Sequence, residues 1–264
     1  LLAEVESFSV RQAFTWCTIL TAISCALAAV RVRLLPAAKE YGLFVWLFVS
    51  WSCISASTVG VPLTSALYKY IFLISIPISW VLYFWGARHL YQKIFSKYPG
   101  IAFAGRSALW LSAAIVIVGV VLSTALAPGV VTSKDLFAAL ILLDRCVLFG
   151  IAFFLVLLVS IMIRYPISIA KNIAVHAFFF ASILFSQALL QAVDQWTGYR
   201  FTPYCNTIAA GFDAVLVSAW AIFLTNAGDA VIIRVRQHIR PETEMHLLGQ
   251  LDALNGILLR AARK

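Results

Sequence analysis

The stretch Ala139–Ile163, "ALILLDRCVLFGIAFFLVLLVSIMI", decides how this chain is to be read. It exceeds the roughly 20 helical residues that cross the hydrocarbon core of a bilayer, and its charged residues are Asp144 and Arg145 alone. Lipid supplies no partner for unpaired backbone groups, so a run of this length and continuity is a helix rather than a barrel strand. A charge held near the middle of the bilayer costs on the order of 2.5–3.5 kcal/mol. The two charged residues are therefore expected to face protein.

Outward from this run the same pattern recurs. Of the 264 residues, 62% are hydrophobic and 12% charged, against roughly 45–50% and 25% in soluble domains. The reading is an all-α integral membrane protein, a bundle of seven transmembrane helices at about 13–30, 41–59, 67–86, 107–127, 136–163, 172–194 and 205–232. Pro36, Pro62, Pro99, Pro128, Pro166, Pro203 and Pro241 all fall between or beyond these runs. Only Pro77 lies within one, where a kink or a local gap in hydrogen bonding is expected. The first run is followed by Arg31 and Arg33 rather than by a small-residue cleavage site, so it reads as a retained span.

Orientation follows from the cations. Fifteen Lys and Arg residues fall on the side of the first, third and fifth connections and the tail, and four, Arg11, Lys69, Lys134 and Arg200, on the other. The amino terminus is thus expected outside and the carboxyl terminus in the cytoplasm, in a multi-pass protein of the cytoplasmic (inner) membrane. The net charge of +9 reads as this topology signal and as attraction to anionic membrane lipids; nucleic acid is not an expected partner. Residues 1–240 form the bundle and residues 241–264 a cytoplasmic amphipathic helix, with Leu247, Leu251, Leu254 and Leu258 on one stripe. That helix reads as lying on the inner membrane surface, or as a docking or dimerisation element for a cytoplasmic protein partner.

The polar groups inside the spans are the candidate site. By helical rise Arg145 sits about 13 Å below the start of its span, and Asp213, eight residues after Cys205, lies at a similar depth on the seventh. An Arg145–Asp213 pair is expected, with Asp144, about 100° round the helix, facing other donors or a watery cavity. Gln187, Gln191 and Asp194 share one face of the sixth span, Asn206 begins the seventh, and Ser52, Ser55, Ser57 and Thr58 end the second. All cluster toward the outer leaflet, where they either tie helices together or line a ligand or ion cavity.

No catalytic motif, Walker loop or metal-ligand spacing occurs, and the last span carries no Lys for a Schiff base. Neither enzymatic activity nor a cofactor or metal is expected. His89 and His176, near the inner ends of two spans, read as edge residues rather than haem ligands. Cys17, Cys25, Cys53, Cys146 and Cys205 read as buried thiols, a Cys17–Cys205 disulfide being the one pairing their placement permits. "PYCNT" and "TNAGDA" carry no recognised mechanism.

The acidic-Arg pair within "LLDRCVLF" and the terminal "LDALNGILLRAARK", with Asn255 among its leucines, resemble features of a loose family of uncharacterised bacterial seven-helix membrane proteins. The resemblance implies the seven-helix fold and no particular activity. The functional expectation is a sensor or receptor binding a small molecule or lipid within the outer half of the bundle. A small-solute or ion transporter using the intramembrane Asp and Arg residues, and a structural subunit of a membrane complex, are the alternatives.

Overall fold

A computed structural model describes residues 2–61, 65–105, 107, 109–110, 114, 136–198, 200–234 and 241–262. The elements named below are α1 (Leu2–Arg33), α2 (Gly42–Thr58), α3 (Ala66–Ile94), α4 (Leu136–Arg164), β1 (Ser168–Ala170), α5 (Lys171–Trp196), α6 (Thr202–Phe223), β2 (Ile232–Arg234) and α7 (Pro241–Ala262). Five stretches, Ser9–Arg33, Ala66–Ile94, Leu143–Arg164, Lys171–Trp196 and Thr202–Phe223, are long and apolar enough to cross a membrane, and α2 is a shorter apolar helix. This is a helical fold of multi-pass membrane type. The run expected at 107–127 lies almost entirely outside the described residues.

Each helix turns a broad apolar face outward. On α1 the exposed positions Trp16, Leu20, Ile23, Leu27, Val30 and Leu34 step by three or four residues, while the opposite face buries Cys25, Ala28, Ala29 and Val32. Water would not tolerate such a surface over every helix, but lipid does, and the small inward residues allow close helix approach. α1 packs chiefly against α2 and α6. Polar stitches hold these contacts: Thr21 Oγ1 donates to the Ala210 carbonyl at 2.9 Å, Ser52 Oγ to the Ala22 carbonyl at 2.8 Å, and the Ser24 and Ser218 hydroxyls meet at 2.8 Å. At the centre the Trp220 ring meets Phe44 and Phe48 edge-on, at centroid distances of 5.6 and 4.7 Å. Gly86 lets α3 approach Phe180, because a Cβ there would lie 3.1 Å from the ring.

The expected all-α class holds with one addition, an antiparallel ribbon in which β1 pairs β2 through Ile169 and Ile233. The ribbon goes with a correction: the last bundle helix, expected to reach residue 232, ends at Phe223. Beyond it the chain folds back under side-chain control from Asn172, at the start of α5. Asn172 Nδ2 donates to the Thr225 carbonyl and to Asp229 Oδ2, each at 3.0 Å, and Oδ1 accepts from the Thr225 amide at 3.2 Å. Gly228 makes the approach sterically feasible, since a Cβ there would lie 2.1 Å from Asn172 Oδ1. The Tyr41 hydroxyl donates to Asp229 Oδ1, and Arg31 Nη2 donates to the Leu224 carbonyl at 2.9 Å. "TNAGDA" is thus the sequence of a knot that fastens the ends of α1, α5 and α6 and the start of α2.

The other helices run longer than expected or match closely. α3 starts on Ser65, whose hydroxyl accepts from the Tyr68 amide at 3.1 Å, and runs through Pro77 to Ile94. The tail helix α7 docks on the bundle: Gly100 N donates to Asn255 Oδ1 at 2.7 Å, and Leu251 is buried in the main core. Leu254, on the same apolar stripe, faces outward.

Candidate functional site

A cavity of about 260 Å³ lies in the half of the bundle opposite the knot, at the end where α2 stops and α3 begins, and all six helices α1 to α6 contribute to its wall. Its polar lining comes from residues that helical spacing brings onto inward faces. Ser75, Ser79 and Tyr83 follow one another at four-residue intervals on α3, and Gln187 and Gln191 do so on α5.

Two carboxyl groups anchor the site. Asp144 accepts from Trp80 Nε1 at 2.6 Å and, at a longer 3.4 Å, from Gln191 Nε2. Asp213 accepts from Gln187 Nε2 at 2.9 Å through Oδ2. Each carboxyl therefore draws on a neutral amide of α5, one turn apart. Between them stands Tyr83, whose hydroxyl accepts from Trp51 Nε1 at 3.0 Å. Asp213 Oδ1 and Gln191 Oε1 are buried and have no hydrogen-bond partner among the described residues. Acceptors left over in a low-dielectric interior are costly.

The expected Arg145–Asp213 pair is not formed. Asp213 is served by Gln187, and the ion pair among the described residues joins Lys93 and Glu40, at the knot end. Asp144 points into the cavity, and a neighbour on the same helix is turned about 100° away; accordingly Arg145, 9% exposed, does not line it. Depth alone placed the two charges correctly along the axis and left their azimuth open. Asp194 follows the first of the two roles expected for these groups, tying helices together: it is buried and accepts from Thr202 Oγ1 at 2.8 Å, clasping the end of α5 to the start of α6, and does not line the cavity. Gln187, Gln191, Asp144, Asp213 and Asn206 do come together in one wall. Of the hydroxyls at the end of α2, Ser55 and Thr58 line the cavity, Ser52 stitches α2 to α1, and Ser57 bonds within its own helix.

The residues missed at the sequence level are Trp51, Trp80, Ser79 and Tyr83. The four-residue polar repeat on α3 was a readable signal for Ser79 and Tyr83; nothing marks which tryptophans turn inward.

His176 is fully buried near the knot. Its Nδ1 accepts from Trp220 Nε1 at 3.0 Å, and its ring stacks on Phe44 at a centroid distance of 4.3 Å. It is a packing element of the core rather than the solvated edge residue expected. Among the described residues no cluster of three or more His, Cys, Asp or Glu has metal-binding geometry. All five cysteines are free thiols, so the Cys17–Cys205 disulfide is absent. Compared with protein-family models, curated proteins and solved structures, the chain matches none of them.

Proposed function

We propose that the chain is a seven-helix protein of the cytoplasmic membrane, of sensor or receptor type, which holds a small molecule or lipid in this cavity and reports its presence through the tail helix. The supporting observation is the cavity itself: all six helices meet around acceptors that their own side chains do not exhaust. Most buried polar groups are paired, so leftover acceptors gathered around one space support an occupant there. The cation asymmetry supports an outer amino terminus and cavity and a cytoplasmic knot. Tail helix α7 is latched to that inner side through Asn255 and Leu251, where a cytoplasmic protein could read its position. Binding rather than catalysis fits a wall without a nucleophile and base in contact.

The reading is tested by filling the cavity. Ala209 lines it, and Ala209→Phe, with Ser55→Phe as a second filler, occupies the space a ligand would take. Native mass spectrometry of protein taken from membranes should show a small-molecule or lipid adduct that both fillers remove. Hydrogen exchange over residues 241–262 should differ between the filled and unfilled proteins. An adduct pattern and an exchange profile unchanged by either filler would defeat the reading.

Transport is the second reading, and one observation favours it. Asp213 is bonded to an amide rather than to Arg145, which leaves its carboxyl free to gain and lose a proton during a coupling cycle. Solute flux into proteoliposomes that Asp213→Asn abolishes would decide for transport over sensing.

A further inference from the structure

The geometry points to a small organic cation as the occupant: a molecule with one ammonium group on an aromatic or alkyl body, held in the cavity with the ammonium on Asp213. This rests on the cavity being a binding site, as proposed above, and adds the chemical class of the ligand.

Charge comes first. Among the described residues the wall contains two carboxyl groups, Asp144 and Asp213, and no Lys, Arg or His. Arg145, the cation nearest in sequence, does not line the space. An anionic occupant would be set beside two acidic groups in a medium that screens poorly, whereas a cation offsets the cost of their burial. Hydrogen bonding says where the cation goes. Both oxygens of Asp144 accept from protein donors, Trp80 and Gln191, whereas only Oδ2 of Asp213 does. Asp213 Oδ1 is the acceptor left for a ligand N–H, and Gln191 Oε1 is available for a second donor. An ammonium group donates and does not accept, which matches this inventory.

The remaining wall argues against a bare metal ion. Phe14, Trp51, Tyr68, Phe72 and Tyr83 line the same space as the two carboxyl groups. Aromatic walls suit an organic cation through cation–π attraction and burial of its apolar body. At about 260 Å³ the space has the bulk of roughly nine liquid water molecules. A metabolite-sized amine fills it, while an alkali or divalent ion would leave most of it unused.

Three probes with one indole body and different charge test the assignment: tryptamine, the neutral 3-ethylindole, which lacks only its ammonium group, and the anion indole-3-acetate. Binding to the full chain in nanodiscs would be measured by calorimetry and by thermal shift. The expected order is tryptamine tightest, 3-ethylindole about 30-fold weaker and indole-3-acetate without binding, because one buried charge pair distinguishes them. Asp213→Asn preserves an acceptor for Gln187 and should remove the preference for tryptamine over 3-ethylindole, with affinity for the neutral probe unchanged. Asp144→Asn should weaken tryptamine less.

Equal or tighter binding of the neutral or anionic probe would overturn the cation assignment, as would an equal loss for tryptamine and 3-ethylindole in Asp213→Asn. So would a thermal shift produced by sodium chloride alone and competed by no amine. If none of the three binds while Ala209→Phe still removes a native adduct, the cation assignment fails and the cavity reading stands. If the fillers change nothing, the cavity reading fails first.

Discussion

The two polar regions of this bundle use the same residue types to opposite ends. At the knot, Asn172 engages both its amide hydrogens and its carbonyl oxygen, Asp229 accepts on both oxygens, and their partners lie within a seven-residue turn and one tyrosine. At the cavity, Asp144, Asp213, Gln187 and Gln191 come from three helices, and two of their acceptors are left over. Matched donors and acceptors at the knot fix one backbone course, as a satisfied buried network does. Unmatched ones at the cavity carry a desolvation cost that no partner among the described residues offsets. Polarity inside a membrane is thus read by its bookkeeping of donors and acceptors rather than by its presence.

This contrast predicts that stability should depend far more on the knot than on the cavity. Asn172→Ala strands the Thr225 amide and carbonyl and one Asp229 oxygen, each costing about 1–3 kcal/mol when buried without a partner. A loss of about 3 kcal/mol or more is expected in reversible unfolding from detergent micelles. A loss below about 1 kcal/mol would show that the fold-back is held by the β1–β2 ribbon instead. Gly228→Ala should act in the same direction, since the added Cβ meets Asn172 Oδ1 at 2.1 Å.

The tail latch should rank next. A Cβ on Gly100 would lie 2.4 Å from the Asn255 carbonyl oxygen and 3.0 Å from Leu259 Cγ, so Gly100→Ala forces α7 away from its seat. Overpacking of this kind costs typically about 1–3 kcal/mol. Because α7 joins the bundle late in the chain, the effect should be local: faster proteolytic removal of residues 241–262, with the unfolding midpoint of the bundle little changed. Unchanged proteolysis would mean that Leu251 alone holds the helix.

Much of this architecture was legible in the sequence and some of it was not, for physical reasons that differ by residue. Hydropathy located five of the six described bundle helices to within a few residues at most ends, because lipid imposes length and apolarity directly. It overran α6 by nine residues, since the apolar Val231, Ile232 and Ile233 beyond "TNAGDA" prolong the run and the turn between is enforced by Asn172, some 50 positions earlier. Depth along a helix follows from counting, so Asp144, Asp213, Gln187 and Gln191 were recognisable as one layer. Azimuth depends on how each helix is rotated by its neighbours, which is why counting pairs Arg145 with Asp213 although Arg145 does not line the cavity, and cannot choose between the two roles open to Asp194. Trp80 and Trp51 were invisible because an indole N–H carries no signal until its partner is known.

At the cavity the same test should give a small effect of either sign. Asp213→Asn keeps an oxygen for Gln187 Nε2 and removes a carboxylate from a poorly solvated site. Replacing an uncompensated ionisable group by a neutral one of equal shape is often neutral or stabilising. A change within about 1 kcal/mol is expected under the conditions that expose the Asn172→Ala loss. A loss as large as that of Asn172→Ala would place Asp213 in the structural class and remove the distinction drawn between the two regions.

The smallest effect belongs to the surface beside the knot. Lys93, in the last turn of α3, pairs with Glu40, next to Tyr41, but their side chains are 34% and 55% exposed. The hydrogen bond and positive charge of Lys93 hold the Glu40 carboxyl below its ordinary value of 4.5. A carboxyl whose folded value is depressed contributes stability above its unfolded value and loses it as pH falls through the folded one. The contribution should therefore be present at pH 7 and vanish in the acid range below about 4.5. Solvent screening limits it to about 0.5 kcal/mol. Lys93→Gln should lower stability by that small amount at pH 7 and by progressively less as pH falls below about 4.5, and 0.5 M salt should erase the difference. A larger, salt-resistant loss would mean that the pair holds Tyr41 against Asp229, so that the knot begins at the surface rather than at Asn172.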